Sequence, residues 1–191
     1  MTGEAAGRNA ASGEGSATQA HSLTSRIVIL GCAGSGKTTF AHQLGERTGA
    51  PVVCLDAIWQ PNWTKDDVPA SRTLIKDTHA GETWISDGNF ALATFDIRLP
   101  RATLVIWLDR PKQYCAWRAI ARVFHPGEPH RIGDLAKVLR FIWSFDRINR
   151  PLIEAQRIVH GPDVPVVRLK SNREIAAFLK SSGLNRIARS S

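Results

Sequence analysis

No stretch of this chain approaches the roughly 18 consecutive apolar residues that a membrane-spanning helix needs. None of its first 25 residues forms the apolar core of a secretory signal. Both absences lead us to expect a cytoplasmic protein without a membrane partner. Cysteine is scarce as well: Cys32, Cys54 and Cys115 are odd in number, scattered and without a C-x-x-C pair. That excludes a disulfide framework and fits reduced thiols. The six histidines show neither paired ligand spacing nor a nucleophile partner, so no chemistry is assigned to them. Acids are outnumbered, 17 against 25 Lys and Arg, which leaves a net charge of +8. Residues 1–25 have almost no large apolar side chains and cannot offset the entropy of ordering, so they read as a disordered tail. Without internal repeats, the remainder reads as one domain over 26–182 with a short C-terminal tail at 183–191.

What is present is concentrated in RIVILGCAGSGKTTF, Arg26 to Phe40. An apolar run is followed by Gly31-Cys32-Ala33-Gly34-Ser35-Gly36-Lys37-Thr38, which fits the phosphate-loop pattern G-x-x-x-x-G-K-[ST] at every fixed position. Glycines let the backbone turn tightly and aim successive N–H groups at a phosphate. The helix expected to start near Lys37 adds the positive end of its dipole. We therefore expect Gly31, Ala33, Gly34, Ser35, Gly36, Lys37, Thr38 and Thr39 to bind ATP. Lys37 would reach the β- and γ-phosphates and the Thr38 hydroxyl would ligate Mg²⁺. Cys32 reads as a small filler at an unconstrained position of the motif.

Helices alternate with strands along the rest of the chain. Strands are expected at 26–31, 51–56, 82–87, 102–109 and 164–169, and helices at about 37–48, 69–80, 112–124 and 174–180. Gly49 is placed to end the first helix. A further helical stretch, about 135–159, is interrupted by Pro151, and 125–131 reads as a break. The nearly continuous apolar strand 102–109 suits a parallel sheet covered on both faces. The pattern is α/β. Trp84 and Trp107 lie within strands and read as core, and Trp117 and Trp143, on amphipathic helices, read the same way. Residues 110–150 hold nine Lys or Arg against three acids. Such a surplus fits nucleic acid or a small polyanion, and the phosphate loop in the same domain favours the latter.

Taken together, GCAGSGKTT, VCLDAIWQPNW, WISDGNF, VIWLDRP, WRAIAR and FDRINRP resemble the adenylate-kinase-like P-loop kinases. Within them the chain is most similar to the DNA topology modulation proteins, a group of nucleotide-kinase-like sequences, over about residues 26–180. The resemblance implies a three-layer P-loop NTPase fold: a five-stranded parallel sheet in the order 2-3-1-4-5, with helices on both faces. It also implies an acceptor-binding segment at 57–80 and a short lid in 124–147. With that order Asp87 emerges beside the phosphate loop, placed to hold Mg²⁺ through water. Related kinases carry an arginine just after this acid to grip an acceptor phosphate. Here the run is Asp87-Gly88-Asn89-Phe90-Ala91, so Arg98 or Arg72 would have to substitute.

Asp56 ends the second strand, at the implied acceptor site. It serves either as the base for a hydroxyl acceptor or as a cap of the following turn. Asp109 reads mainly as a helix cap. Arg118 and Arg122, spaced i, i+4, share a helix face. The resemblance makes them embrace the triphosphate, with Arg147 and Arg150 closing from the far side of the lid; a solvated basic face is the alternative. Trp59 and Trp63 either stack on the acceptor or pack locally. The expected activity is transfer of the ATP γ-phosphate to a nucleotide or small hydroxylated metabolite by a monomer or weak dimer. A nucleotide-dependent DNA-binding protein is the alternative, although no helix-turn-helix or aromatic stacking platform speaks for it.

Overall fold

The apolar run after Arg26 becomes the central strand of the molecule because its side chains find cover on both sides. The computed structural model describes residues 26–58, 68–124 and 132–187. Strand β1 (Arg26–Gly31) lies between β3 (Trp84–Asp87) and β4 (Leu104–Leu108), flanked by β2 (Val52–Cys54) and β5 (Val166–Leu169). All pairings are parallel and the order is 2-3-1-4-5, as expected. The pleat sends alternate side chains to opposite faces. Val28 and Leu30 join Trp84, Phe95, Trp107 and Phe145 in one core. Ile27 and Ile29 join Phe40, Leu44, Ile85 and Leu179 in the other.

Helices α1 (Lys37–Thr48) and α7 (Asn172–Ile187) cover one face of the sheet. Helices α4 (Ala91–Arg98), α5 (Lys112–Val123) and α6 (Ile132–His160) cover the other. Short α2 (Leu55–Ile58) and α3 (Val68–Thr78) connect β2 to β3. Because β1 is followed spatially by β3 on one side and β4 on the other, the connections leave in opposite directions. This switch opens a crevice at the carboxyl ends of β1 and β3.

Several local expectations are corrected. Asp56 does not end a strand; it sits in the first turn of α2. Helix α4 was not expected: it starts at Phe90 without a side-chain cap and is held by burial of Phe95. Pro151 does not interrupt α6, which runs 29 residues through it. Interior proline costs about 3 kcal/mol. Here Ile142 and Phe145 before it and Ile153 after it are anchored in the same core, and that packing prevails. Helix α7 extends to Ile187, beyond the domain end expected at 182. No helix among the described residues is long and apolar enough to cross a membrane.

Trp84 and Trp107 are buried as expected, but Trp117 and Trp143 are 64% and 58% exposed. The core-facing positions of α5 are instead the small Cys115, Ala116 and Ala119. All three cysteines are free.

His79, just past α3, is fully buried against Trp84. Its Nδ1 lies 2.6 Å from the Ile75 carbonyl, which can only accept, so the proton is on Nδ1. The Ser86 hydroxyl then donates to Nε2 at 2.8 Å. Burial pushes the His79 pKa down to about 4; the Ile75 carbonyl opposes this, while Arg98 and Arg101 reinforce it. A depressed histidine contributes stability that is present above its unfolded value near 6.5 and is lost as pH falls from there toward 4. Urea unfolding should therefore show a loss of about 2 kcal/mol between pH 7 and pH 5. A His79→Gln variant should lose much less over that interval. An equal loss in both proteins would contradict the assignment.

Candidate functional site

The crevice at the strand ends is built first by the backbone. Between β1 and α1 the loop passes so close to α5 that a Cβ at Gly34 (φ +77°) would lie 2.4 Å from the Cys115 carbonyl oxygen. Gly36 (φ +94°) caps α1, and a Cβ there would stand 3.2 Å from Arg118 Nη1. Glycine at 34 thus permits the loop to seat on the small-residue face of α5. At 36 it lets a guanidinium approach the loop. The Lys37 ammonium folds over the loop and donates to the Cys32 carbonyl at 3.1 Å.

A cavity of about 550 Å³ opens on this loop. Of the residues expected to bind nucleotide, Ala33, Gly34, Gly36, Lys37, Thr38 and Thr39 line it. Gly31 and Ser35 do not. Ser35 is buried, and Gly31 is clamped through its N–H and carbonyl by the Asn89 side-chain amide, at 3.1 and 2.9 Å. Asn89, at the end of β3, therefore fixes the entry to the phosphate loop. The sequence showed it only as the place where related kinases have a different run.

The sheet register sets Asp87 opposite Ile29, beside the start of α1. Thr38 Oγ1 donates to Asp87 Oδ2 at 2.6 Å, while Oδ1 is buried without a partner among the described residues. Burial pushes the Asp87 pKa up; Thr38 and Lys37 oppose that shift, and Asp56 adds to it. A carboxylate in this situation is short of positive charge. The Thr38 hydroxyl, having donated its proton, still offers lone pairs outward. Both are hard oxygen donors suited to Mg²⁺. No group of three or more His, Cys, Asp or Glu gathers among the described residues to hold a metal by side chains alone. The partial oxygen set of Thr38 and Asp87 thus fits a cation that phosphate oxygens complete.

Asp56 lines the same cavity with Gly88, Asn89 and Phe90, and with Phe141, Asn149, Leu152 and Ile153 of α6. Phe90 adopts a left-handed backbone, φ +33°, a strained conformation for a bulky residue. It is held by hydrogen bonds around it. Arg98, fully buried, donates to Thr94 Oγ1 (3.0 Å), Ser86 Oγ (3.0 Å), the Gly88 carbonyl (3.1 Å) and the Asn89 carbonyl (2.6 Å). Thr94 in turn donates to the Phe90 carbonyl at 2.9 Å. Arg98 therefore does not substitute as a phosphate grip; it is the strut behind the loop. Arg72 is committed as well, to Asp96 at 2.5 Å and to the Ala93 carbonyl at 2.5 Å.

The remaining arginines divide. Arg122 lines the cavity, and Arg118 reaches the loop beside Gly36, 3.5 Å from the Tyr114 hydroxyl. Tyr114, which sequence reasoning passed over, also carries the Arg110 guanidinium 3.9 Å over its ring, and Arg110 donates to Asn172 Oδ1 at 2.7 Å. Arg147 is exposed on α6 and does not line the cavity. Arg150 turns away from it, paired with Asp109 at 2.5 Å and Asp146 at 2.9 Å. Asp109 accordingly is no helix cap: the N-cap of α5 is Pro111, without a side-chain cap, and Asp109 binds Arg150 and Arg168 instead. Trp59, Trp63 and the break at 125–131 lie outside the described residues.

No family model and no curated protein sequence matches this chain. Among solved structures it is similar to a shikimate kinase from Bacteroides thetaiotaomicron, with TM-score 0.58 and 13% identity over 87% of this chain and 99% of that one. It is also similar to a shikimate kinase from Acinetobacter baumannii in complex with shikimate, with TM-score 0.56 and 15% identity over 85% and 93%. A gluconokinase from Sinorhizobium meliloti 1021 has TM-score 0.53 and 19% identity over 87% and 95%. At these identities the likeness is one of fold: the chain has the P-loop kinase fold.

Proposed function

We propose that this chain is a Mg²⁺-dependent phosphotransferase that moves the γ-phosphate of ATP to a nucleotide or a small hydroxylated metabolite. The observation that carries the reading is a single cavity shared by Lys37, Thr38, Asp56 and Arg122, with Asp87 hydrogen-bonded to Thr38. The backbone N–H groups of the loop would hold the β-phosphate, and Lys37, released from the Cys32 carbonyl, would bridge to the γ-phosphate. Arg118 and Arg122 would spread their charge over the equatorial oxygens as transfer proceeds. With a hydroxyl acceptor, the acceptor oxygen bonds to the γ-phosphorus, its proton passes to the Asp56 carboxylate, and the β–γ bridging bond breaks to release ADP. Mg²⁺, held by Thr38 and through Asp87, would neutralise charge on the β- and γ-oxygens.

The division of the arginines supports a small polyanion over DNA as the target of the basic 110–150 segment. Arg118 and Arg122 reach the loop and cavity, and Arg150 is ion-paired. Closer kinship with the DNA topology modulation proteins rests on the sequence marks alone.

Calorimetry with Mg²⁺ and ATP, followed by acceptor-stimulated ADP release across nucleoside monophosphates and hydroxylated metabolites, tests the proposal. Tight ATP binding without stimulated turnover on any acceptor would contradict it. Asp87→Asn should separate function from folding. It removes a buried carboxylate whose charge burial disfavours, so the melting temperature should hold or rise. Turnover at saturating Mg²⁺ should fall about a hundredfold. Unchanged turnover would remove Asp87 from the metal site.

A further inference from the structure

Cys32 and Cys115 belong to one core, although the first sits in the phosphate loop and the second on α5. Their side chains are hydrogen-bonded to each other across the contact between loop and helix. Gly34, just past Cys32, rests on the Cys115 backbone: a Cβ there would lie 2.4 Å from the carbonyl oxygen and 3.2 Å from the Cα. The two sulfurs thus meet with the fold as it stands. Cys115 is fully buried and Cys32 is 6% exposed, so the pair meets solvent on the Cys32 side. The hydrogen bond with Cys32 holds the Cys115 thiol below its ordinary value; burial opposes this, and the charges of Lys37 and Arg110 reinforce it. That favours the thiolate, the reactive form of the side chain. Cys54 lies apart, on the edge strand β2, with β3 between it and β1.

The pair sits where the loop has little slack. Asn89 clamps Gly31 on one side, and Gly34 is pressed on α5 on the other. Between them the Cys32 carbonyl accepts from the Ser35 N–H at 3.2 Å and from Lys37 Nζ at 3.1 Å. Covalently bonded sulfurs stand closer together than hydrogen-bonded ones. A bond between Cys32 and Cys115 would draw the loop toward α5 and disturb the turn at the Cys32 carbonyl. That turn aims the loop N–H groups at a phosphate, so the anion site would lose its shape.

We propose that Cys32 and Cys115 are a redox pair, which a hydroperoxide converts into a disulfide that tethers the phosphate loop to α5 and weakens nucleotide binding. One sulfur attacks a peroxide oxygen and takes it as a hydroxyl; the O–O bond breaks, and water or an alcohol leaves with the thiol proton. The second sulfur then attacks the first, the S–O bond breaks, and the hydroxyl leaves as water with the second thiol proton. The effect on nucleotide rests on the kinase reading above. To test the pair, the reduced full chain is treated with hydrogen peroxide, its remaining thiols are blocked, and its tryptic peptides are weighed. Calorimetry gives the ATP affinity in the presence of Mg²⁺ before and after. The peptides holding Cys32 and Cys115 should appear joined, two hydrogens lighter than their sum. ATP should bind about tenfold or more weakly, and dithiothreitol should reverse both changes. Cys115→Ala should bind ATP like the reduced protein, with or without peroxide. Separate peptides after peroxide, joined peptides with unchanged ATP affinity, or an equal loss of affinity in Cys115→Ala would each overturn the proposal. Failure of the reduced protein to bind ATP would overturn the kinase reading and the nucleotide effect with it, while the joined peptides alone would decide the tether.

Discussion

Replacing Arg118 and Arg122 together by alanine is expected to lower acceptor-dependent ADP release about a thousandfold, with the melting temperature unchanged within a few degrees. Charge develops on the equatorial oxygens during phosphoryl transfer, and guanidinium groups aimed there are worth about 10³-fold or more in rate. The proposed role draws on their places: Arg118 stands against Gly36 and Arg122 lines the cavity with Lys37 and Thr38. Arg122 is exposed and Arg118 half-buried, so their loss removes little folding energy. Steady-state kinetics and thermal unfolding of the double variant check both halves. Loss of stability in proportion to activity would mean that the arginines hold the fold and leave the triphosphate alone.

The opposite outcome is expected for Arg98→Met. Its removal strips hydrogen bonds from two loop carbonyls, Gly88 and Asn89, and from two hydroxyls, Ser86 and Thr94, three of the four in buried positions. Each stranded buried polar group costs about 1–3 kcal/mol, and breaking a buried charge network typically costs about 3–5 kcal/mol in total. Denaturant unfolding should show a loss in that range. Turnover measured well below the new melting temperature should also fall, because Asp87, Asn89 and Phe90 lose their support. A loss below about 1 kcal/mol would show that the network is not the strut described here.

The contrast between these arginines shows where sequence reading works and where it ends. The octet from Gly31 to Thr38 was legible because its function is local: eight contiguous residues encode both the turn and the donors. The bond between Thr38 and Asp87 spans 49 positions; only the place of Asp87 beside the loop was anticipated, through the strand order that the resemblance supplied. Arg98 and Arg72 were read as candidate phosphate grips because a sequence displays a charge without its partners. Trp117 and Trp143 were placed in the core because large apolar residues usually go there. The phosphate loop comes at Gly34 against the backbone of Cys115, and α5 buries the small Cys115, Ala116 and Ala119 while Trp117 is turned out. Helix α4 had no start signal, since its first turn depends on a strained Phe90 backbone fixed by Arg98 and Thr94.

The sequence by itself determined the glycine-rich turn between the first strand and the first helix and the alternation of helix and strand, because backbone freedom and apolar periodicity act over a few neighbouring residues. Which arginines face the cavity, which acid meets Thr38, and how apolar the cavity wall becomes were decided only by the tertiary structure. Those outcomes depend on ion pairs and close packing between segments tens of residues apart, where desolvation and charge pairing outweigh any local preference.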